Sequence, residues 1–445
     1  MDRPAAEHGA AEAGDRGLTI TTMALRLSDT VAGHLGLLDG PIDPDQLIGL
    51  ARRQTGLTDF GESAFIDPLA RLLDSCSRES ALGLIGRSAT KWDILRFLTN
   101  LLLIQAESAR NPAMEQAPIR QPVFITGLPR SGTTFLHRLM LTDPANRAPA
   151  VWETIYPSAM AGTRDERIAK VARQLKAFEW IAPDFQALHP LDAESPQECS
   201  EITAHVFRSL RFDTNYHIPS YRRWLDADVL RHLPAYRFHK RFLRFLQFGG
   251  QTQPRWVLKC PEHVFALHAI RSVYPDARLI FVHRDPVKVL LSQAQLTEVL
   301  RRPFTRHLDP QTLGPNESRR WLDGTRRMMA VGDDAGFPEA VCHVHHLDLI
   351  TDPVHTVEGV YRHFGMEVPP AMGPAIQAYV ADKPQGGYGA HNYHFDDHGL
   401  NEQAERSKFR PYMVRFGVTP EASPVRRGAP AVEQASRSAE PTLPG

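Results

Sequence analysis

The chain lacks what a membrane protein, a disulfide scaffold and a nucleic-acid binder each require. Its most apolar stretch, Ile94 to Ile104, is interrupted by Arg96 and Asn100. That is too short to span a bilayer and reads as a core helix. Cys76, Cys199, Cys260 and Cys342 lie far apart in 445 residues. Such spacing excludes a disulfide framework or a zinc cluster and fits a reducing compartment. Lys and Arg number 51 and Asp and Glu number 51, so the formal net charge is zero. No global field favours nucleic acid. The polar start, Met1-Asp-Arg-Pro-Ala-Ala-Glu-His8, has no apolar leader segment, and a cytoplasmic location is expected. An anion bound here must be held by cations gathered locally.

What is present suits a globular protein. The chain is 42% hydrophobic and 23% charged, and it is long enough for one large domain with helical additions. Residues 1–17 are rich in Ala, Glu and Gly and read as disordered, as does the Pro-, Ala- and Ser-rich tail 418–445. Residues 18–118 form helices with apolar stripes such as Phe65, Leu69 and Leu72, either a packed extension or a dimerisation arm. A nucleotide domain is expected over 119–417, with a helical insertion at about 154–254. No internal repeat is visible.

The informative segment is Pro122-Val-Phe-Ile-Thr-Gly-Leu-Pro-Arg-Ser-Gly-Thr-Thr-Phe-Leu136. A buried strand runs to Thr126, and an apolar-faced helix opens at Thr133 and Thr134. Gly127 and Gly132 allow a tight turn and close approach to a ligand. Free N–H groups and the dipole at the helix start make an anion site. Arg130, Ser131, Thr133 and Thr134 add a cation and hydroxyls. The spacing is that of a phosphate loop, but Thr133 stands where a nucleoside triphosphatase carries lysine.

The run Gly127-Leu-Pro-Arg-Ser-Gly-Thr-Thr134 resembles the 5′-phosphosulfate loop of sulfotransferases that use 3′-phosphoadenosine 5′-phosphosulfate (PAPS), in the bacterial branch with Arg before Ser-Gly-Thr-Thr. The resemblance covers roughly residues 120–415. It implies an α/β fold, a P-loop-type parallel sheet flanked by helices, with a helical N-terminal extension and a helical insertion. A second strand, Ala277 to His283, is followed by Arg284 and, eight residues on, Ser292. The resemblance assigns this pair to the 3′-phosphate. It also places Lys259, at the end of Arg255-Trp-Val-Leu-Lys259, near the bridging oxygen of PAPS.

The base is read as Glu153, beside Trp152, or as His263, four residues beyond Lys259. Glu153→Gln is then expected to remove most turnover. Glu198 is a weaker acid–base candidate, read as structural. The reaction expected is in-line sulfuryl transfer from PAPS to a hydroxyl of a small-molecule, lipid or carbohydrate acceptor, with no metal and no nucleic-acid partner. A homodimer is compatible. A kinase stays open as an alternative, because Leu279 to Val282 run towards Asp285 as in a magnesium-binding strand. A non-catalytic nucleotide binder on the same scaffold is the third reading.

Three further clusters stand out. Phe212, Tyr216, Tyr221 and Trp224 line either an acceptor pocket or the insertion's own core. The stretch 341–349 reads as a strand with His343 and His345 on one face and His346 on the other, not as a metal site. His391, His394, Asp396, Asp397 and His398 are likewise not read as metal ligands; the resemblance implies a segment that closes over the cofactor.

Overall fold

The computed structural model describes residues 29–36, 38, 40–158, 166–182, 185, 190–248, 255–333, 341–382 and 394–421. The expected disordered N-terminus, the tail beyond 421, and His391 lie outside them.

Five strands form one parallel sheet: β1 (Val123–Gly127), β2 (Asn146–Arg147), β3 (Arg255–Lys259), β4 (Arg278–His283) and β5 (Val341–His345), in the order β2-β3-β1-β4-β5. The register pairs Ile125 with Lys259 on one side and Gly127 with Val282 on the other. All five residues of β1 are buried, as a central strand covered on both faces requires.

The side-chain period of two sorts these strands into two cores. Phe124, Trp256, Leu258, Leu279 and Phe281 face one core, which they share with Phe97 and Leu98 of the Leu84–Arg110 helix and with Phe207 and Phe212 of the insertion. Val123, Ile125, Val257, Ile280 and Val282 face the other, against Leu136, Leu139, Val357 and Tyr361. The N-terminal helices and the insertion therefore complete one covering layer together.

That layer is also tied by charge. Arg96 meets Asp93 at 2.5 Å and Glu201 at 2.6 Å; Arg211 meets Asp93 at 2.6 Å and Glu201 at 2.8 Å. Burial works against the Asp93 carboxylate, but Arg211 and Arg96 outweigh it and hold its pKa below the ordinary range.

Because β1 is central, with β3 on one side and β4 on the other, its C-terminal end is the switch point where such sheets bind ligands. Gly127 has φ 144°, and a Cβ there would stand 2.3 Å from the Val282 carbonyl oxygen. Only glycine fits.

Many buried histidines are held neutral. Burial pushes His137, His205, His232 and His239 down to about 3, and His263 and His283 well below the usual value. The unfolded chain then takes up these protons first. Their stabilising contribution is complete above the ordinary value and is lost as pH falls below it. Glu262, raised by burial to about 7, and Asp226, raised by burial to about 6, act in the opposite sense over the same window. Six histidines against two carboxyls decide the sign. The melting temperature is expected to fall by about 5–10 °C between pH ~6.5 and pH ~5, measured by calorimetry. A flat profile would contradict the neutral-histidine core.

Candidate active site

The loop after β1 turns through Arg130 (φ 58°) and Gly132 (φ 95°) before the Thr133–Met140 helix begins. A non-glycine residue held at positive φ in a loop facing a cavity is backbone strain kept by the surrounding structure. The Ser131 hydroxyl turns inward and donates to the Leu128 carbonyl at 2.6 Å, so it braces the loop. Gly132 leaves no room for a side chain, since a Cβ would lie 2.8 Å from His346 Nδ1.

The structure brings Arg130, Arg284 and Ser292 together. Arg284 donates to the Arg130 carbonyl at 2.7 Å, and Arg130 Nε donates to Ser292 Oγ at 3.1 Å. The remaining fork of Arg284 is taken by Glu421, whose two oxygens accept at 2.9 Å each. A carboxylate from the end of the described chain thus sits where a planar oxyanion would bind. Arg406 donates to the Glu421 carbonyl at 3.3 Å and to Asp285 at 3.0 Å, and Glu421 N–H donates to Asp285 at 2.8 Å. Asp285 also caps the Pro286–Arg301 helix through Val287 N–H at 3.0 Å. That carboxylate is spent on backbone and arginine, which counts against a magnesium-binding role.

Lys259 ends β3, buried, with its ammonium donating to Thr134 Oγ1 at 3.1 Å and to Glu198. It bridges the phosphate loop to a carboxylate that stands 61 residues earlier in the chain. Glu262, three residues after Lys259, is half-buried and accepts from Arg320 at 2.9 Å.

Glu153 and His263 are not brought to this place. Glu153 accepts from Arg147 at 2.6 Å and from the Ala150 backbone N–H at 2.9 Å, and it caps the short Val151–Ile155 helix. His263 points into the core, its Nδ1 at 2.5 Å from the Tyr236 hydroxyl and its ring edge-on to Phe124.

One cavity of about 970 Å³ joins the loop, Arg284 and Ser292 to Glu198, the carboxylate that Lys259 holds. Its wall includes Arg130, Gly132, Thr133, Thr134, Arg284 and Ser292 of the loop region, the carboxylates Glu198 and Glu262, the apolar side chains Ile85, Ala89, Leu175, Phe178, Leu296 and Phe304, and the charged quartet Asp93, Arg96, Glu201 and Arg211. Of the four aromatics expected as pocket or core, Tyr216 lines the cavity, while Phe212, Tyr221 and Trp224 pack elsewhere.

Sequence reasoning missed His346. The strand expected over 341–349 stops at His345, and His346 opens a helix, which turns it towards the loop. It lines the cavity, its Nδ1 is buried without a hydrogen-bond partner, and burial, then the charge of Arg284, push its pKa down to about 4. An orphaned buried nitrogen beside an anion loop fits a polar ligand. His343 pairs with His283 at 2.9 Å, and His398 with Glu298 at 2.9 Å. Residues 394–398 pack on neighbouring helices and none lines the cavity. Among the described residues no group of three His, Cys, Asp or Glu side chains could hold a metal ion.

Comparison with known proteins agrees with this geometry. The sulfotransferase family model matches residues 122–370. A relative, the omega-hydroxy-beta-dihydromenaquinone-9 sulfotransferase Stf3 of Mycobacterium bovis (strain ATCC BAA-935 / AF2122/97), is 26% identical over 283 residues, which are 59% of this chain and 67% of the relative. The structure of sulfotransferase STF1 from Mycobacterium tuberculosis H37Rv matches with a TM-score of 0.72 and 27% identity, covering 83% of this chain and 99% of that one. STF9 from Mycobacterium avium matches with a TM-score of 0.78 and 25% identity, covering 86% and 99%. The match spans more than half of the chain and includes the loop, β3, β4 and β5, so the protein belongs to the sulfotransferase family and is a sulfotransferase.

Proposed function

We propose that this enzyme moves a sulfuryl group from PAPS to the hydroxyl of an apolar, lipid-type acceptor. The observation that carries the reading is one cavity whose wall joins the cationic, hydroxyl-bearing loop to a set of aliphatic and aromatic side chains. Ile85, Phe178 and Phe304 offer a sugar hydroxyl no partner but suit an apolar chain. The relative Stf3 is named for a menaquinone-type acceptor, which points the same way.

In this reading the loop N–H groups, Thr133 and Thr134 hold the 5′ side of the donor, with Arg130 supplying charge. Arg284 and Ser292 hold the 3′-phosphate. Lys259 neutralises the phosphate oxygen that leaves as its bond to sulfur breaks. Glu198 takes the proton of the acceptor hydroxyl as the new oxygen–sulfur bond forms. A donor on the loop competes with Glu198 for the Lys259 ammonium, which returns basicity to the carboxylate.

The test has two arms. Calorimetry is expected to show tighter binding of 3′,5′-adenosine bisphosphate than of ATP with magnesium; the reverse order would favour a kinase. With labelled PAPS, long-chain primary alcohols are expected to be sulfated faster than simple sugars. Equal or inverted rates would remove the lipid reading, and no transfer to any class would favour a non-catalytic binder.

A further inference from the structure

Among the described residues no helix is long and apolar enough to cross a membrane. An apolar acceptor nevertheless resides in a bilayer, and drawing it through water exposes every methylene. The helix Arg167–Ile181 bears on this problem. Its inner side places Leu175, Phe178 and Ile181 in the cavity wall. Its outer side leaves Trp180 74% exposed, an unusual position for the largest apolar side chain.

The cavity opens beside it. Trp92, on the neighbouring Leu84–Arg110 helix, lines the cavity and is also 47% exposed, which marks one mouth; Ile350, lining and 53% exposed, marks another. Ala177 is likewise exposed and lining, one turn before Trp180.

The same helix departs from the chain's neutral balance. Between Arg167 and Ile181 it carries four cations, Arg167, Lys170, Arg173 and Lys176, against one carboxylate, Glu179, with Glu166 just before it. Two cations have local work. Arg167 donates to the Tyr156 and Pro157 carbonyls at 3.1 and 2.7 Å, and Lys170 lies 3.7 Å from the centre of the Tyr156 ring. Arg173 and Lys176 are exposed, one turn or less from Ala177.

We propose that the outer face of this helix, through Trp180, Arg173 and Lys176 with Trp92 at the rim, docks the enzyme on an anionic lipid bilayer so that the cavity mouth opens against the membrane. An exposed indole and a basic outer face are what an interfacial helix uses: the ring sits at headgroup level, and the cations meet acidic lipids. The proposal rests on the lipid-acceptor reading above.

Co-sedimentation with vesicles tests it. The full chain is expected to bind phosphatidylcholine–phosphatidylglycerol vesicles, to bind pure phosphatidylcholine far less, and to show a blue shift of tryptophan emission on binding. The double variant Arg173→Glu with Lys176→Glu is expected to lower partitioning by at least about tenfold, and Trp180→Ser to abolish most of the blue shift. Both should leave sulfation of a short, water-soluble alcohol unchanged while slowing that of a long-chain alcohol embedded in the anionic vesicles. Failure to bind anionic vesicles, equal binding by the charge-reversed variant, or self-association through this face in place of vesicle binding would overturn the docking proposal. Vesicle binding without any transfer would uphold the docking and count against the functional reading instead.

Discussion

Glu198→Gln is expected to lower turnover by about 10²–10⁴-fold, the range general-base catalysis supplies, while binding of 3′,5′-adenosine bisphosphate stays close to that of the parent. The amide keeps the shape and still accepts from Lys259. It cannot take a proton. Lys259→Ala is expected to cost about 10²–10³-fold if the buried ammonium meets the developing charge as proposed, where no water would screen it. The two losses should combine to less than their product, since the residues touch and work as one unit. Glu153→Gln is the contrast. It weakens a helix cap and an ion pair with Arg147, so it lowers thermal stability modestly and spares turnover. Single-turnover rates with saturating donor decide between them. A loss on Glu153→Gln with Glu198→Gln unaffected would restore Glu153 as the base. A loss confined to Glu262→Gln would move the role to the carboxyl on Arg320.

The second large effect concerns the nucleotide. Arg284→Ala is expected to weaken 3′,5′-adenosine bisphosphate by about 10–100-fold, the worth of charge-assisted hydrogen bonds, and adenosine 5′-phosphate much less. Equal losses for both would sink the 3′-phosphate assignment. Glu421 sharpens the experiment. Its carboxylate occupies the same guanidinium fork, so a dianion must displace it. Glu421→Gln should therefore tighten the bisphosphate, and the gain should vanish in the Arg284→Ala background. An unchanged affinity would mean that the contact costs nothing to open.

Much of this was legible in the sequence. β1, β3 and β4 are short apolar runs that end at Gly127, Lys259 and just before Arg284, and burial on both faces leaves such runs few alternatives. The loop was legible because glycine spacing and helix start are local. Glu198 stood out only as a weaker acid–base candidate read as structural, because it sits in Pro196-Gln-Glu-Cys199 without periodic signal and acquires its partner only when β3 folds beside it. The capping contact of Glu153 was not legible, because a carboxylate at the third helical position looks the same whether it serves catalysis or a cap; Ala150 lacks the hydroxyl that would have announced a capping box. His346 was hidden by a strand pattern that continued one turn too far. Glu421 lies beyond the stretch that resembles the family, and it meets Arg284 across 137 residues.

The charged quartet of Asp93, Arg96, Glu201 and Arg211 has a bearing on how this protein can be taken apart. The part of the chain that the family model matches begins at residue 122, yet half of the quartet stands before it. A fragment cut at that point would keep the Glu201–Arg211 pair but lose Arg96 and Asp93, the second partner of each, together with the apolar surface of the Leu84–Arg110 helix. The recognisable segment is therefore not a portable module. A chimera that exchanges N-terminal regions between relatives has to carry both halves of this charge pattern, so the boundary of the smallest transferable unit lies upstream of Asp93.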